Sequence, residues 1–429
     1  MAMMRPETEM KDSGIEWIGD IPANWGKSKL KYLGGYINGY ACKPSDWSAR
    51  GRQIIRIQDL TGSNSGEPNY FDGTLDEKYR VVNGDILVSW AATLDAFVWT
   101  KEDGWLNQHI FKAVPNEKIV KGYFLWLLKV AMDNMNNDDK HGIVMQHVTI
   151  GLFNNYVVPL APYTEQQSIA DYLDETCSKI DEIIAEAKAS IDEYKELKQS
   201  VIFEAVTKGL DKNVEMKDSG VKWIGEIPAT WDVLRIKDIG AARNGLTYSP
   251  NDQVDSGKGT LVLRSSNVQN GQIVFDDNVY VNKDIPDNLM LDEGDILICS
   301  RNGSRRLIGK NAIVPESGKY TFGAFMMVLK PFNDNKKYIH WILNSGVFGY
   351  YLPMFFTSTI NQLTRENFRN MQLPYCMDVN VQKDIVEYLD KKCELFDSLI
   401  TEKESLINDL EAYKKSLIYE VVTGKRRVV

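Results

Sequence analysis

The sequence is poor in the residues that usually build reactive centres. It has only five cysteines and four histidines in 429 residues. The cysteines are scattered and form no CxxC pair, which argues against a disulfide framework or a zinc site and favours a reducing, cytoplasmic compartment. The histidines form no HExxH motif and no recognisable nucleophilic triad. The cysteines are Cys42, Cys177, Cys299, Cys376 and Cys393.

Long apolar runs and nucleotide loops are also missing. No run reaches the roughly 18 residues that span a membrane, and Met1–Met10 lacks the apolar core of a signal peptide. Gly303–Asn311 is an imperfect phosphate loop, with five residues between its glycines where four are required and Asn311 in place of Ser or Thr. Because methyl-donor and nuclease motifs are absent too, we expect a protein that binds rather than reacts.

The net charge of −9 looks unfavourable for binding nucleic acid, but the acidity is concentrated in one segment. Residues 26–163 hold 15 basic and 14 acidic residues, residues 232–375 hold 16 and 14, and residues 164–208 hold 5 and 11. The two large blocks are therefore slightly basic. Binding to DNA would depend on a few placed cations or on a basic partner.

What the chain does contain is an internal duplication. Met10–Trp25 and Met216–Trp231 share 12 of 16 residues at an offset of 206. Tyr172–Asp174 recurs as Tyr388–Asp390 at an offset of 216. Each repeat is a Trp-rich motif, a globular block and a long helix. Because the scaffold repeats while the blocks diverge, we expect one task performed on two different targets.

Each globular block is predicted to be a compact α+β domain. Short β-branched runs bounded by Gly, Asn and Asp, such as Asn83–Val88, Glu293–Ile298 and Ile54–Leu60, indicate strands and turns. Tyr123–Met132 and Lys337–Leu343 are predicted to be helical.

Two long helices, free of Pro and Gly over residues 165–208 and 380–423, carry heptad seams. Thr164 with Gln167 suggests a capping box at the first start, Asp378 or Asn380 caps the second, and Gly209 ends the first. At about 44 residues, or about 66 Å, the helices exceed the width of one domain. A helix lying on its own domain is the alternative to two seams packed antiparallel as a spacer. The seam residues are Cys177, Ile180, Ile184, Ala187, Ile191, Tyr194, Lys198 and Val201, then Cys393, Phe396, Ile400, Lys403, Ile407, Leu410, Lys414 and Leu417.

The repeated motifs resemble those of type I restriction–modification specificity subunits. Lys11–Trp25, Lys217–Trp231 and Val158–Leu173 carry the resemblance, which covers essentially the whole chain. The second copy departs from it at Val379–Lys383, which lacks the Thr-Glu opening. The resemblance implies an α+β fold with two pseudo-symmetric target-recognition domains joined by two long antiparallel helices that form a coiled coil. The expected divisions are domain 1 at 1–163, a central helix at 164–209, domain 2 at 210–379 after a linker at 210–215, and a distal helix with a basic tail at 380–429.

The resemblance further implies a subunit without catalytic activity or a cofactor of its own. Each domain would read one half of an asymmetric DNA site, and the helices would set the gap. Two modification subunits, which bind S-adenosylmethionine and methylate adenine N6, would dock on the scaffold, and motor-nuclease subunits would join them. A coiled-coil scaffold presenting two protein-binding modules, or an autonomous nuclease or methyltransferase, are the competing functions.

Candidate DNA-binding residues lie on two loops. Arginine suits guanine O6/N7 and asparagine suits adenine N6/N7, although a solvated turn that contacts only phosphates is the alternative. Gln108 and His109, Gln146 and His147, and Asn361, Gln362 and Arg365 are further polar candidates for which surface or core roles stay open, while the matched Arg56 and Arg264 are expected to be scaffold. The candidates are Arg301, Asn302, Ser304, Arg305 and Arg306 in the second block, and Lys43, Trp47, Arg50 and Arg52 in the first.

The repeated tryptophans are predicted to face a partner subunit, because two copies of one partner would require two similar surfaces. Local packing is the alternative. These residues are Trp17 and Trp25, with their copies Trp223 and Trp231.

Overall fold

The computed structural model describes residues 3–63, 66–137, 148–332, 335–356 and 361–428. The chain divides into two compact units. The first unit consists of Met1–Ala187 with Ser405–Val429, and the second consists of Lys188–Glu404. Within the described ranges, no helix is both long enough and apolar enough to cross a membrane.

Two helices are much longer than the rest: α4 has 46 residues and α9 has 44. They lie where the heptad pattern and the absence of Pro and Gly predicted them. The shorter predicted helices correspond to α2 and α6. In chain order the helices are α1 (Ile57–Thr61), α2 (Lys121–Asn137), α3 (Ile150–Asn155), α4 (Tyr163–Lys208), α5 (Ile236–Ile239), α6 (Lys336–Ile342), α7 (Phe348–Phe355), α8 (Arg365–Arg369) and α9 (Val379–Val422).

The strands are short, and most of them occur as matched pairs in the two units. In chain order they are β1 (Met3–Met4), β2 (Met10–Asp12), β3 (Asp20–Pro22), β4 (Gly26–Lys29), β5 (Gly34–Asn38), β6 (Arg52–Ile55), β7 (Tyr70–Phe71), β8 (Arg80–Val81), β9 (Ile86–Ser89), β10 (Asp95–Val98), β11 (Gly104–Leu106), β12 (Ile110–Pro115), β13 (Val157–Leu160), β14 (Met216–Asp218), β15 (Glu226–Pro228), β16 (Asp232–Arg235), β17 (Gly240–Asn244), β18 (Gln253–Val254), β19 (Thr260–Leu263), β20 (Val268–Gln269), β21 (Gln272–Ile273), β22 (Val279–Val281), β23 (Ile296–Cys299), β24 (Asn311–Ile313), β25 (Tyr320–Phe322), β26 (Met326–Pro331), β27 (Gln372–Tyr375) and β28 (Arg426–Arg427).

Each unit is built around two four-stranded sheets. In the first unit their orders are β10-β9-β12-β5 and β7-β6-β11-β8. In the second unit they are β24-β23-β26-β17 and β18-β22-β19-β25, so the first sheet follows the same path in both units. The second sheets also agree in one unusual detail, because β11 pairs parallel with β6 and β25 pairs parallel with β19.

The strands in the middle of these sheets are buried on both faces. In β23 all four residues are buried, and successive side chains point to opposite faces. Ile296 and Ile298 enter one hydrophobic core, and Leu297 and Cys299 enter another. The continuous apolar run that predicted this strand therefore serves two cores at once.

The seam positions predicted for α4 and α9 are all buried or half-buried. In the first unit Lys414 of α9 donates to Asp181 of α4 at 2.6 Å. In the second unit Lys198 of α4 donates to Asp397 of α9 at 2.6 Å. From Asp181 to Lys198 the residue numbers increase along α4, while those of their partners on α9 decrease from Lys414 to Asp397. The two helices therefore run antiparallel. Each helix gives a lysine to one pair and an aspartate to the other.

The helix ends follow from local chemistry. Asp378, rather than Asn380, caps α9, because its Oδ1 accepts the N–H groups of Asn380 and Val381 at 2.8 and 3.5 Å. The end of α4 is followed by Gly209, whose φ of +73° is the left-handed conformation that glycine adopts without strain.

Two local predictions are wrong. The capping box of Thr164 with Gln167 does not form, because α4 begins at Tyr163 and the Gln167 amide donates to a helical neighbour instead. The run Ile54–Leu60 is not one strand: β6 ends at Ile55 and α1 begins two residues later. The Asp59 carboxylate accepts the backbone N–H of Arg56 at 2.9 Å and turns the chain into that helix.

Each block is fastened to its long helix by the same tryptophan–aspartate bond. In the first unit the Trp126 indole donates to Asp174 of α4 at 2.7 Å. In the second unit the Trp341 indole donates to Asp390 of α9 at 3.0 Å. The repeated Tyr-Leu-Asp of both helices thus includes the residue that positions each block.

Candidate nucleic-acid interface

A cavity of 880 Å³ opens in the second unit where the segment after β17, the loop after β23 and the turn before β26 meet. The loop after β23 is the arginine-rich segment that the sequence singled out. Only part of that loop reaches the cavity. The lining residues are Leu246, Thr247, Tyr248, Pro250, Gln253, Arg264, Ser265, Ser266, Arg301, Asn302, Gly303, Gly323, Ala324, Phe325, Met326 and Asn361.

Arg301 is the exposed cation of this cavity. Its guanidinium lies 5.1 Å from the ring centroid of Phe325, which is 57% exposed. The backbone holds the pair together, since the N–H groups of Ser300 and Arg301 both donate to the Phe325 carbonyl at 3.0 Å. No carboxylate in the described part of the chain pairs with Arg301. A guanidinium stacked on a ring, with its N–H groups unpaired by acid, suits two-point contact with guanine.

Each amide atom of Asn302 already forms one hydrogen bond within the protein. Its Nδ2 donates to Ser265 Oγ at 3.1 Å, and its Oδ1 accepts the N–H of Ser304 at 3.0 Å. A second N–H and a second lone pair of the amide are left for a ligand. Asn302 therefore helps to hold the loop, and its contact with a base stays a prediction. Ser304 is exposed but does not line the cavity.

The other two loop arginines lie on a short 3-10 turn outside the cavity lining. Arg305 donates to Asn361 Oδ1 at 2.8 Å, and its guanidinium lies 5.5 Å from the centroid of Phe356. Arg306 is exposed, and no carboxylate within the described residues neutralises it. An exposed arginine without an acidic partner beside such a cavity suits a phosphate contact.

Arg264 also lines the cavity, but its charge is balanced. Its guanidinium lies 2.7 Å from the Asp277 carboxylate. A hydrogen bond from Ser266 and the charge of Arg264 lower the pKa of Asp277, so that carboxylate stays ionised. Beneath the loop, burial raises the pKa of Cys299 and keeps its thiol neutral. Arg264 is thus a scaffold residue, as its repeat position predicted, and Arg301 supplies the unbalanced charge.

The first unit repeats this backbone with different side chains. The Trp90 N–H donates to the His109 carbonyl at 3.1 Å, as the Ser300 N–H donates to Phe325. These matched bonds define a shared backbone frame, in which His109 stands where the second unit has Phe325. The frame's other matched bonds run from Tyr40 to Leu106 and Val148 to Trp90 in the first unit, and from Leu246 to Phe322 and Leu363 to Ser300 in the second.

Of the four candidates predicted in the first unit, Trp47 lies on this frame. It is 40% exposed and directly follows a 3-10 turn that matches the turn before Gln253, a lining residue of the second cavity. The Arg56 guanidinium lies 5.3 Å from its ring centroid. Lys43 is exposed at the start of the same turn.

Arg50 and Arg52 lie in acidic surroundings instead. Arg50 forms an ion pair with Asp72 at 3.3 Å. Arg52 lies 4.4 Å from the centroid of Trp105 and lines a separate cavity of 560 Å³ together with four carboxylates. Three of these carboxylates form ion pairs with Arg50 or Arg80, and DNA contact at Arg52 stays a prediction. The carboxylates are Asp72, Glu77, Glu102 and Asp103.

The repeated tryptophans divide into two kinds. Trp25 and Trp231 are 2% and 3% exposed, so the expectation that they face a partner is wrong and they serve local packing. Trp17 and Trp223 are half-buried. The Trp17 ring stacks on Tyr156 at 5.5 Å and leaves part of its surface exposed. Contact with a partner stays a prediction for Trp17 and Trp223 only.

The polar pairs weighed in the sequence occupy informative positions. Asn361 lines the second cavity, and Gln362 pairs with Arg301 through the backbone. Gln146 and His147 lie outside the described residues. Gln108 and His109 are exposed at the turn before β12, which matches the turn before β26. The signal for Gln108 and His109 is the match of their turn with its copy in the second unit. Sequence identity between the two turns is too weak to reveal that match.

Metal and thiol chemistry receive no support from the described ranges. No group of three or more His, Cys, Asp or Glu residues there could hold a metal ion. All five cysteines are buried and unpaired.

Comparisons with known proteins agree on one family. The model of the type I restriction modification DNA specificity domain matches residues 22–193 and 228–411. The chain is 25% identical over 297 residues to the type I restriction enzyme EcoBI specificity subunit of Escherichia coli, covering 66% of this chain and 61% of that relative. It is 24% identical over 362 residues to the MjaVIII specificity subunit of Methanocaldococcus jannaschii, covering 82% of each chain. A solved chain from a study of assembly and conformational transition in a type I restriction–modification system has the same fold, with a TM-score of 0.69, 14% identity and coverage of 94% of this chain and 99% of that one.

Proposed function

The chain belongs to the type I restriction–modification DNA specificity family, and on that premise we propose that it selects the DNA sequence on which a type I complex acts. Each unit reads one half of an asymmetric, bipartite site. The chain itself performs no catalytic step and binds no cofactor of its own. Adenine N6 methylation is carried out by two modification subunits that bind S-adenosylmethionine, and restriction by motor-nuclease subunits, all in the cytoplasm.

The observation that carries this proposal is a repeated frame with different contents. One four-stranded sheet has the same strand order in both units, and the same backbone bonds recur beside it. The side chains at matching positions differ, with Gln253, Arg301 and Phe325 in one unit and Trp47, Ala91 and His109 in the other. A repeated backbone gives two similar ways of approaching DNA, and different side chains give two different sequences.

Base reading and phosphate contact are assigned to different residues. In the second unit Arg301 contacts guanine in the major groove, while Arg305 and Arg306 contact the backbone, where they fix orientation without reading sequence. In the first unit Lys43 contacts phosphate and Trp47 contacts base edges. A cavity with a single cation that no described carboxylate pairs, as in the second unit, fits a protein that relies on a partner for much of its affinity.

The modification subunits are proposed to dock at Trp17 and Trp223. Both are half-buried, and both stand in the repeated motif that two copies of one partner would require. Next to Trp223 lie the rings of Tyr350 and Tyr351, at 6.1 and 6.2 Å. Aromatic residues with a partly open face are typical of the buried centre of protein interfaces.

The number of base pairs between the half-sites is proposed to follow from the length of α4 and α9. Each helix of about 45 residues rises about 67 Å, close to two turns of duplex at about 34 Å each. Neither helix has an interior proline or glycine, the residues at which long helices usually kink.

The test is to map methylated adenines in host DNA with and without this gene, in the presence of its modification subunits. A single split sequence of two unlike halves, methylated only when the gene is present, is the expected result. Methylation that does not change, or DNA binding by the assembled complex without sequence preference, would overturn the proposal and favour a scaffold for protein-binding modules. Cleavage or methylation by the purified chain alone would contradict the absence of catalytic activity.

A further inference from the structure

We propose that Gln108 and His109 read two adjacent purines in the first half-site, as Arg301 reads guanine in the second. This inference rests on the proposed function and assigns residues and a base class to the half-site for which the sequence offered mainly Trp47. The inference starts from the turn between β11 and β12 of the first unit. The equivalent turn of the second unit, between β25 and β26, forms a wall of the cavity there.

The position follows from backbone contacts that the two units share. Tyr40 pairs with Asn107 in a parallel bridge, as Leu246 pairs with Gly323. The next two residues are therefore equivalent: Gln108 to Ala324, and His109 to Phe325. Ala324 and Phe325 both line the cavity of the second unit. Gln108 and His109 thus stand where the second unit meets its ligand.

The side chains at this position show an exchange of roles. Trp90 is equivalent to Ser300, so the residue that follows it, Ala91, replaces Arg301. The first unit has therefore lost the arginine of the loop and gained a polar pair on the opposite turn, where the second unit has Ala324 and Phe325. Each unit therefore has one group that can read a base. In the second unit it lies on the loop after β23, and in the first unit it lies on the turn before β12.

Both polar side chains are available to a ligand. Gln108 and His109 are exposed, and within the described residues no hydrogen bond occupies the Gln108 amide or the His109 ring nitrogens. The backbone beneath them is fixed, since the Gln108 N–H donates to the Tyr40 carbonyl at 2.8 Å and the His109 carbonyl accepts from Trp90. The His109 ring also lies edge-on to the Trp90 ring at 4.7 Å. Free polar groups on a fixed backbone are the arrangement that base reading needs.

Two residues on the facing loops of this site have a left-handed backbone conformation. His109 has a φ of +72°, and Ala92, on the facing loop, has a φ of +60°. Side chains other than glycine seldom adopt such angles, and strained residues tend to cluster where function holds them. In the second unit neither Asn302 nor Phe325, the equivalent residues, has a positive φ. The strain therefore belongs to the exchanged reading group and not to the shared frame.

The chemistry selects a purine. A glutamine amide matches adenine N6 and N7 in a two-point contact, and an imidazole N–H can donate to purine N7. A pyrimidine has no N7 and presents only one hydrogen-bonding group in the major groove, so it cannot form the same two-point contact. We therefore assign one adenine to Gln108 and an adjacent purine contact to His109.

The test uses His109→Gly and Gln108→Ala in the complete chain with its modification subunits, followed by mapping of methylated adenines. Glycine accepts a φ of +72°, so His109→Gly removes the ring without adding backbone strain. We expect each variant to lose at least about fivefold of its discrimination at one purine of the first half-site, with the second half-site and the gap unchanged. Ala92→Gly relieves similar strain without removing a polar group, and it is expected to keep the wild-type sequence.

Failure of this inference is distinguishable from failure of the proposed function. If wild-type chain directs no bipartite methylation, the proposed function is wrong. If wild-type chain does so and both variants keep its full sequence with an unchanged melting temperature, the inference is overturned. It is also overturned if relaxation falls in the second half-site, or if Ala92→Gly relaxes the site as much as His109→Gly.

Discussion

The substitution Glu165→Gln is expected to destabilise the first unit by about 2–3 kcal/mol. The Glu165 carboxylate lies at the start of α4 and accepts hydrogen bonds from Arg5 at 3.1 Å, Asn24 at 3.0 Å and Trp25 at 3.1 Å. The Arg5 and Glu165 side chains are only 9% and 19% exposed. Breaking a buried ion pair typically costs about 3–5 kcal/mol, because one charge stays buried without its partner. The expected value is somewhat lower because Glu9 lies 3.8 Å from Arg5 and offers a second acid.

A double-mutant cycle separates the ion pair from the other hydrogen bonds. Arg5→Met removes the charge that Glu165→Gln leaves unpaired, so the double variant should be more stable than Glu165→Gln alone, by about 1 kcal/mol or more. Urea unfolding followed by tryptophan fluorescence is a suitable measurement, since the Trp25 indole bonds directly to Glu165. Glu175→Gln is the matched control on the same helix, where an exposed pair with Lys179 at 2.6 Å should contribute little.

Two results would refute this reasoning. The first is a stability of Glu165→Gln equal to that of the control. The second is strict additivity of Arg5→Met and Glu165→Gln, which would mean that the two side chains do not interact.

Three further outcomes are expected from other parts of the chain. Lys198→Asp should destabilise the chain by at most about 1 kcal/mol in urea unfolding, because the pair with Asp397 is partly exposed, and adding Asp397→Lys should restore stability. Burial lowers the pKa of His340 to about 4, below its value of about 6.5 in unfolded chain. The unfolded state therefore binds the extra proton between pH 6.5 and 4, so stability of the second unit should fall as pH drops through that window, by about 1–3 kcal/mol in total, and His340→Asn should flatten that slope. Inserting one heptad into both α4 and α9 should lengthen the gap in the methylated sequence by about three base pairs, since seven residues rise about 10 Å, while both half-sites stay the same.

The helical scaffold could be predicted from the sequence because its signals are local. The heptad spacing, the absence of proline and glycine and the caps at Asp378 and Gly209 all act within one turn of helix. A glutamine at the start of both long helices is repeated in the sequence, but the sequence does not show what it contacts. Gln166 and Gln382 are buried, and their amides donate to the carbonyls of Ala161 and Cys376 at 3.0 and 2.6 Å. Such a bond joins the helix to the segment before it. The spacing of apolar residues along the helix cannot predict that contact.

The residues of the DNA interface could be predicted only in part, because their availability depends on distant partners. Arg301 and Asn302 are neighbours in a loop that composition alone marks as a DNA-binding candidate. The structure separates them, since the Asn302 amide donates to Ser265, 37 residues away. Arg52 looked equally basic in the sequence, but folding places it beside carboxylates from other segments. For both residues the sequence shows the type of side chain, but not the distant groups that surround it in the fold.

The one departure of the second copy from the repeated pattern now has a physical reason. Glu165 looked like part of a helix opening, and its equivalent in the second repeat is Val381. The carboxylate in fact fastens Arg5 and the first Trp-rich motif to α4 by side-chain contacts, whereas the second motif is joined to α4 by residues 209–215 of the chain itself. The equivalent Val381, at the start of α9, packs against the hydrophobic core of the second unit instead of forming an ion pair. This difference between the repeats lies in the scaffold, whereas the differences on the shared backbone frame, at His109 and Arg301, are the ones that the proposed function assigns to the choice of DNA sequence.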